Sequence, residues 1–155
     1  MNTQFDTARS VSEHLLEKTG AALMTRDFEN FEPYFLLPQQ IATFDGERYI
    51  ETRDELLCLF DAVCTYLEKS GVTQMVRHCV EARFQDKTTV IATHESRFVN
   101  RDVITQQPFP VLSVLKYNGS NWQVASSSYA IADRADHNAA LMSAGKQIRQ
   151  NPHKC

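Results

Sequence analysis

The sequence of 155 residues has little of several features that would point directly to a function. Its net charge of −3 and scattered lysines and arginines provide no basic field for a phosphate backbone, which argues against a nucleic-acid partner. No apolar run approaches the roughly 18 residues of a membrane span, and the start, MNTQFDTARSVSEHLLEK, lacks the apolar core of a secretion signal. We therefore expect a cytoplasmic protein with no nucleic-acid and no membrane partner.

Cysteine is sparse, and its spacing excludes the common metal and redox motifs. The four residues, Cys58, Cys64, Cys79 and Cys155, contain no CxxC pair. Cys58 and Cys64 fall inside an apolar helical pattern, where free thiols behave as small hydrophobes. We predict structural or neutral roles for all four residues, no metal, no cofactor and a reducing compartment.

Hydrophobic spacing predicts two amphipathic helices separated by a short helical turn. The first helix spans residues 7–25, the turn lies in RDFENFEPYF, and the second helix runs from residue 53 to about residue 70. Thr52 and Glu55 form the sequence signature of a capping box at the start of the second helix. Between the turn and that helix, the DG pair in QQIATFDGERYIE predicts a short hairpin.

Strands dominate the rest of the chain. Two long strands flank QDKT within residues 72–100, and two more flank NGSN within residues 110–131. This order predicts one α+β domain over residues 1–132, with helices on one face of a mostly antiparallel sheet. Residues 133–155 form a polar tail, apart from NAALM, and either make one terminal helix or stay disordered.

The order of these elements resembles the nuclear-transport-factor-2-like superfamily and, within it, the SnoaL-like proteins. The resemblance spans residues 7–131 and rests on the first helix, on LLPQQIATFDG, on TRDELLCLFDAVCTYLEKSG and on LKYNGSNWQVASSSYAI. It implies a cone-shaped, cystatin-like roll, in which a strongly bent sheet wraps the long first helix and leaves an internal pocket. The superfamily contains isomerases, dehydratases and proteins with no chemistry, so the fold implies no single activity.

Alternation along the QDKT hairpin sorts its side chains into two faces. His78 and Val80 lie among apolar residues on one face of the first strand, and His94 and Phe98 do so on the second. We expect both of these faces to be buried. A three-residue turn places His78 across from His94 or one pair away on the same face. A two-residue turn places His78 with Glu95, unless a bulge restores the register.

These faces define a candidate site of protonatable and apolar side chains. Two buried neutral imidazoles are suited to general acid and base roles, and tyrosines at the expected wall and mouth would orient a substrate oxygen. The candidate catalytic residues are His78, His94, Tyr34 and Tyr129. The candidate ligand contacts are Trp122, Phe98 and Val80.

Three functions fit this site. The first is a cofactor-independent lyase or isomerase, acting by acid/base chemistry on an apolar oxygenated small molecule in the pocket. The second is a non-catalytic ligand-binding or dimerisation module of the same fold, and the third is a small subunit of an oxygenase. The strand of residues 110–117 is apolar on both faces, so we expect its outer face to be covered, in a homodimer through the convex sheet face or by the C-terminal tail.

Overall fold

The computed structural model describes residues 7–147 and the backbone of residues 152–153. Its helices and turns are α1 (Ala8–Thr25), two 3-10 turns (Phe28–Asn30 and Glu32–Tyr34), α2 (Arg53–Lys69) and α3 (Ala135–Leu141). Both predicted helices and the predicted helical turn are confirmed. None of the helices within the described residues is long and apolar enough to cross a membrane.

Capping boxes fix where the two long helices begin. The Thr7 hydroxyl accepts a hydrogen bond from the Ser10 backbone N–H, and the Ser10 side chain accepts one in return from the Thr7 backbone. Thr52 and Glu55 form the same reciprocal pair at the start of α2, as predicted. Each box satisfies N–H groups that the first helical turn leaves without a partner.

Nine strands form one open sheet around α1. They are β1 (Phe35–Thr43), β2 (Gly46–Ile50), β3 (Gln74–Asp86), β4 (Thr89–Asn100), β5 (Val103–Ile104), β6 (Phe109–Tyr117), β7 (Trp122–Tyr129), β8 (Gly145–Gln147) and β9 (Pro152–His153). Their order is β3-β4-β6-β7-β1-β2-β8-β9, with β5 beside β4. Strands β1 and β7 run parallel and the other pairs are antiparallel. The predicted α+β cone is confirmed.

The register of β3 against β4 differs from the expected one. The turn has two residues, since Asp86 pairs with Thr89, and a bulge next to it then pairs Ala82 with Ala92. A second bulge, at Val80, shifts the pairing again, so that Cys79 faces His94. Because side chains alternate with period two, a shift of one residue moves every following side chain to the other face.

The expected burial of His78 and Val80 is therefore wrong. Both lie on the outer face, where Val80 is 53% exposed. Below the Val80 bulge, Arg77 and Cys79 occupy the inner face instead.

Helix α1 holds the Val80 bulge in place. The Arg9 guanidinium donates hydrogen bonds to the backbone oxygens of Cys79 and Val80, and the Glu13 carboxylate accepts one from the Cys79 backbone N–H. Strand β3 is an edge strand, so these backbone groups have no neighbouring strand to pair with. The bulge thus depends on a contact between residues about seventy positions apart.

Two apolar clusters fill the cone. The larger lies under α2 and includes Phe31, Leu56, Phe60, Phe98 and Ile131. The smaller surrounds the first half of α1 and includes Val11, Leu15, Val90, Leu115 and Trp122. The lone tryptophan therefore closes the small cluster, where its ring contacts those of Phe84 and Tyr117.

The segment after residue 132 contributes to the same body. Helix α3 packs on α2, and β8 pairs with β2 at the sheet edge. The side chains of His137 and Leu141 are almost completely buried. One terminal helix, the first of the two expected outcomes for this segment, does form.

The cysteines differ in state. Cys64 and Cys79 are buried free thiols, and burial raises the pKa of Cys64 to about 11, which makes that thiol unreactive. Cys58 is disulfide-bonded, so the expectation of a free thiol at that position is wrong. Cys155 lies outside the described residues.

Candidate functional site

A central cavity of about 70 Å³ lies between α1, α2, α3 and the concave face of the sheet. Its apolar walls include five aromatic rings, those of Phe31, Phe35, Phe60, Phe98 and Phe109. A lower cavity of about 40 Å³ continues toward the start of α1. The two cavities share a wall that contains Thr19, Phe35, Arg77, His94 and Tyr129, so polar side chains lie where the two apolar clusters meet.

Arg77 brings a cation to this shared wall. Its Nη2 donates to the Leu16 backbone oxygen at 2.7 Å and to the Thr19 hydroxyl at 2.8 Å. Burial lowers the pKa of Arg77 to about 10, and the nearby Tyr129 opposes that shift. The guanidinium therefore remains charged at neutral pH in a half-buried position.

His94 is neutral in the same wall. Its side chain is 7% exposed, and it lines both cavities. Burial lowers the pKa of His94 to about 3, with smaller contributions from the Arg77 cation and from His78. A neutral imidazole donates one hydrogen bond and accepts another, which suits it to an oxygen-bearing ligand.

Tyr129 reaches the same wall from the end of β7. Burial raises the pKa of its hydroxyl, and the Arg77 cation and the Ser127 hydroxyl oppose that effect. The phenol is protonated at neutral pH and able to donate a hydrogen bond.

His137 lines the central cavity from α3 and is oriented by a buried hydrogen-bond chain. The Tyr66 hydroxyl bonds to Oε1 of Gln106 at 2.5 Å, and Nε2 of Gln106 lies 3.2 Å from Nδ1 of His137. The rings of Tyr66 and His137 stack with centroids 4.6 Å apart. Burial lowers the pKa of His137 to about 4, so Nδ1 accepts from Gln106 and the ring proton is on Nε2.

Gln39 contributes a hydrogen-bond acceptor whose capacity is unused. It lies on β1, is 1% exposed and lines the central cavity, yet its side-chain oxygen has no hydrogen-bond partner within the described residues. An unsatisfied buried acceptor costs about 1–3 kcal/mol. Such a group is expected where a ligand supplies the missing donor.

The sequence-predicted residues divide into three groups. His94, Tyr129 and Phe98 line the central cavity. His78 and Val80 lie on the outer face of β3. Two others lie away from the cavity walls: Trp122 packs in the small cluster, and Tyr34 packs against that cluster with its ring 5.9 Å from that of His14. The expected pair of inward histidines on the hairpin is therefore wrong, whereas His94 by itself is placed as predicted.

Among the cavity residues that the sequence did not predict, three polar ones were missed for different reasons. Gln39 lies two positions before buried Ile41 on β1 and shares its face of the sheet, a pattern that was visible in the sequence. His137 precedes Leu141 by one helical turn, but seven residues of helix in a polar tail give a faint signal. The inward position of Arg77 depends on the Val80 bulge, which local sequence patterns do not predict.

Comparisons with known proteins identify the fold. No protein-family model matches the chain, and no curated protein matches it. A domain of unknown function with a cystatin-like fold from Nostoc punctiforme is 15% identical with a TM-score of 0.65, over 87% of this chain and 83% of that one. A function-unknown protein from Mycobacterium tuberculosis is 13% identical with a TM-score of 0.66, over 91% and 92% of the two chains.

A ketosteroid isomerase-like protein from Erwinia carotovora atroseptica is also similar, at 14% identity and a TM-score of 0.58, over 84% of this chain and all 100% of that one. An NTF2-like protein of unknown function from Shewanella baltica is 16% identical with a TM-score of 0.58, over 86% and 100% of the two chains. The chain thus has the NTF2-like, or cystatin-like, fold, which confirms the resemblance seen in the sequence at the level of fold. Identities this low show the fold alone and transfer no residue's role.

The two buried histidines make stability depend on pH. The unfolded chain binds protons at His94 and His137 below pH 6.5, whereas the folded chain binds them only near pH 3 and pH 4. The folded protein therefore has its full stability above pH 6.5 and loses stability as the pH falls below that value. We expect the free energy of unfolding to fall by about 1.4 kcal/mol per pH unit for each histidine between pH 6.5 and about 4. Urea titrations of the wild type, His94→Gln and His137→Gln measure this slope, and an equal slope in all three proteins would contradict it.

Gln39→Met should stabilise the protein. It removes the unsatisfied oxygen and preserves the side-chain volume, so we expect the free energy of unfolding to rise by about 1 kcal/mol. The matched control is Gln40→Met, because the Gln40 amide on the same strand donates to the Glu47 carboxylate and loses that bond. Chemical denaturation of the three proteins measures the difference. A loss of stability in Gln39→Met would show that this oxygen is satisfied.

Proposed function

We propose that this protein binds a small, mostly apolar molecule that carries oxygen, inside the central cavity. The observation that carries the proposal is the Gln39 oxygen, which has no partner among the described residues, in a cavity whose walls are mostly aromatic and aliphatic side chains. Such a cavity, apolar with a few polar groups pointing inward, is the usual form of a small-molecule site. Its volume of about 70 Å³ is well below that of a drug-sized site, so the ligand is compact and extends into the adjoining lower cavity of about 40 Å³.

The direct test is binding of phenol, a neutral apolar molecule with one hydroxyl. We expect phenol to shift the methyl resonance of Ile41, a cavity wall, and to leave that of Ile104 unchanged, since Ile104 is 48% exposed on β5. The dissociation constant should be about 1 mM or lower, equivalent to about −4 kcal/mol. Val63→Phe fills the cavity from α2 and should abolish the shift. Val103→Phe makes the same change at a position 67% exposed and should preserve it.

Two results would reject the binding proposal. One is an Ile41 resonance that stays unchanged at saturating phenol in the folded wild type. The other is an equal shift in Val63→Phe, which would place the phenol elsewhere. Thermal melting of both variants establishes that each is folded before the comparison is made.

Acid/base catalysis in the same cavity is the second candidate, and one observation favours it. A neutral histidine and a protonated tyrosine, His94 and Tyr129, line both cavities. A pKa of about 3, however, makes His94 a weak base, whereas an efficient base has a pKa near the working pH. Binding without turnover is therefore the function that the geometry supports best.

We also propose a homodimer through the convex face of the sheet. Thr93, Leu112, Ser128 and Ala42 form a paired row across β4, β6, β7 and β1 on this face. A groove of about 350 Å³ follows the row, and its apolar walls include Leu112, which is 48% exposed, and Phe44, which is 68% exposed. Central strands that are apolar on both faces are normally covered on both, and a second copy supplies a matching surface.

The dimer has a simple test. Light scattering after size exclusion should give twice the chain mass for the wild type and the single chain mass for Leu112→Lys, because two buried ammonium groups would face each other. Val103→Lys, at an exposed position on β5, should remain dimeric. A monomeric wild type at micromolar concentration would reject the proposal.

A further inference from the structure

We propose that the ligand of the central cavity is a small carboxylic acid, bound as its anion by Arg77. This inference rests on the proposed binding function and specifies the chemical class of the ligand. The starting observation is a half-buried cation in the cavity wall, for which the described part of the chain supplies no counter-ion.

The hydrogen bonds of Arg77 use one of its three nitrogens. Both bonds to α1 come from Nη2, and no hydrogen bond within residues 7–147 engages Nη1 or Nε. Gly20 leaves room for the guanidinium beside the helix, since a Cβ there would lie 2.9 Å from Nη2 and would displace the end of the Arg77 side chain. Anchoring α1 explains the Nη2 contacts and leaves the remaining donors, and the charge, unexplained.

No carboxylate among the described residues forms an ion pair with Arg77. The ion pairs found there join other residues near the surface, such as Arg26 with Glu68 and Arg97 with Glu95. Glu13 and Glu17 line the surface groove between α1 and β3, which Arg77 also borders, but neither lies within 4.0 Å of the guanidinium nitrogens. Arg77 is half-buried and borders both this surface groove and the central cavity, and partial removal of water from an unpaired charge costs free energy that a bound anion offsets.

The other polar groups at the cavity leave this charge uncompensated. His94 and His137 are neutral, and Tyr129 is protonated, near neutral pH. The cavity wall therefore carries one positive charge, and a ligand with one negative charge complements it. A planar guanidinium pairs with a carboxylate through parallel hydrogen bonds, which fits the unused nitrogens of Arg77.

The other side chains that line the cavity indicate the remaining features of the ligand. Aromatic rings, among them Phe31, Phe35 and Phe60, surround the central cavity and favour an apolar body. The free oxygen of Gln39 requires a donor on the ligand, such as a hydroxyl group. We infer a compact carboxylic acid with an apolar body and a hydroxyl group.

The test compares isosteric acids and amides. Benzoate with benzamide, and butanoate with butanamide, keep size and shape while changing the charge. We expect the acid of at least one pair to bind the wild type at least about tenfold more tightly than its amide, since a hydrogen bond to a charged group contributes about 1.5–3 kcal/mol. The probe is the Ile41 methyl shift, and the buffer is at pH 7, where both acids are anions.

Variants assign the preference to Arg77. Arg77→Gln keeps hydrogen-bond donors and removes the charge, so the preference for the acid should disappear. Arg97→Gln makes the same change at an exposed position on β4 and should keep it. Because Arg77 also anchors α1, Arg77→Lys is the second variant; it retains the charge and should retain a preference for the acid, with weaker binding.

Each outcome decides the inference. Equal binding of acid and amide, or an acid preference that survives Arg77→Gln, would overturn the carboxylate site while phenol binding still supported the cavity. Phenol binding with no binding of either acid would also overturn the carboxylate site and still support the cavity as a binding site. Failure of phenol and of both acids would overturn the carboxylate site and the proposed function together.

Discussion

The contact between helix α1 and the bulge at Val80 decides what the interior of this protein contains. Arg9 and Glu13 satisfy backbone groups that the edge strand β3 leaves unpaired, and the extra residue at Val80 reverses the faces of the strand below it. With the bulge, Arg77 points inward and His78 outward. Without it, the cone would enclose a second imidazole and no guanidinium. One edge contact thus sets the charge of the cavity, in keeping with the frequent occurrence of bulges next to functional sites.

The interior retains groups that weaken the fold. Among the described residues, a half-buried cation without a counter-ion, an unsatisfied amide oxygen and two imidazoles held neutral all cost free energy that apolar side chains would not. These four groups lie together at one cavity, and the two other unpartnered buried polar atoms of the described residues, Nε1 of Trp122 in the small cluster and Oδ1 of Asn138 on α3, are not among its lining groups. Violations of packing rules that concentrate at one place indicate a functional site, and their cost is the usual exchange of stability for binding.

Local patterns predicted most of the fold and less than half of the candidate site. Capping residues, hydrophobic period and turn residues predicted both long helices, the DG hairpin and the four long strands, because each of these signals acts over a few positions. Burial of His94 on β4 followed from plain alternation. Alternation failed on β3, because its phase depends on a bulge that a distant helix stabilises. His137 required packing of a short polar-looking helix onto α2, which local patterns do not encode.

The pairing of β3 with β4 determines which side chains line the cavity, and backbone NOEs between these strands measure that pairing in solution. The structure predicts contacts between Cys79 and His94 and between Ala82 and Ala92, which together require one extra residue at Val80. Contacts of Val80 with His94 and of His78 with Ser96 would instead show an unbroken register. That result would return His78 to the interior, remove Arg77 from the cavity and contradict the anion site argued from it.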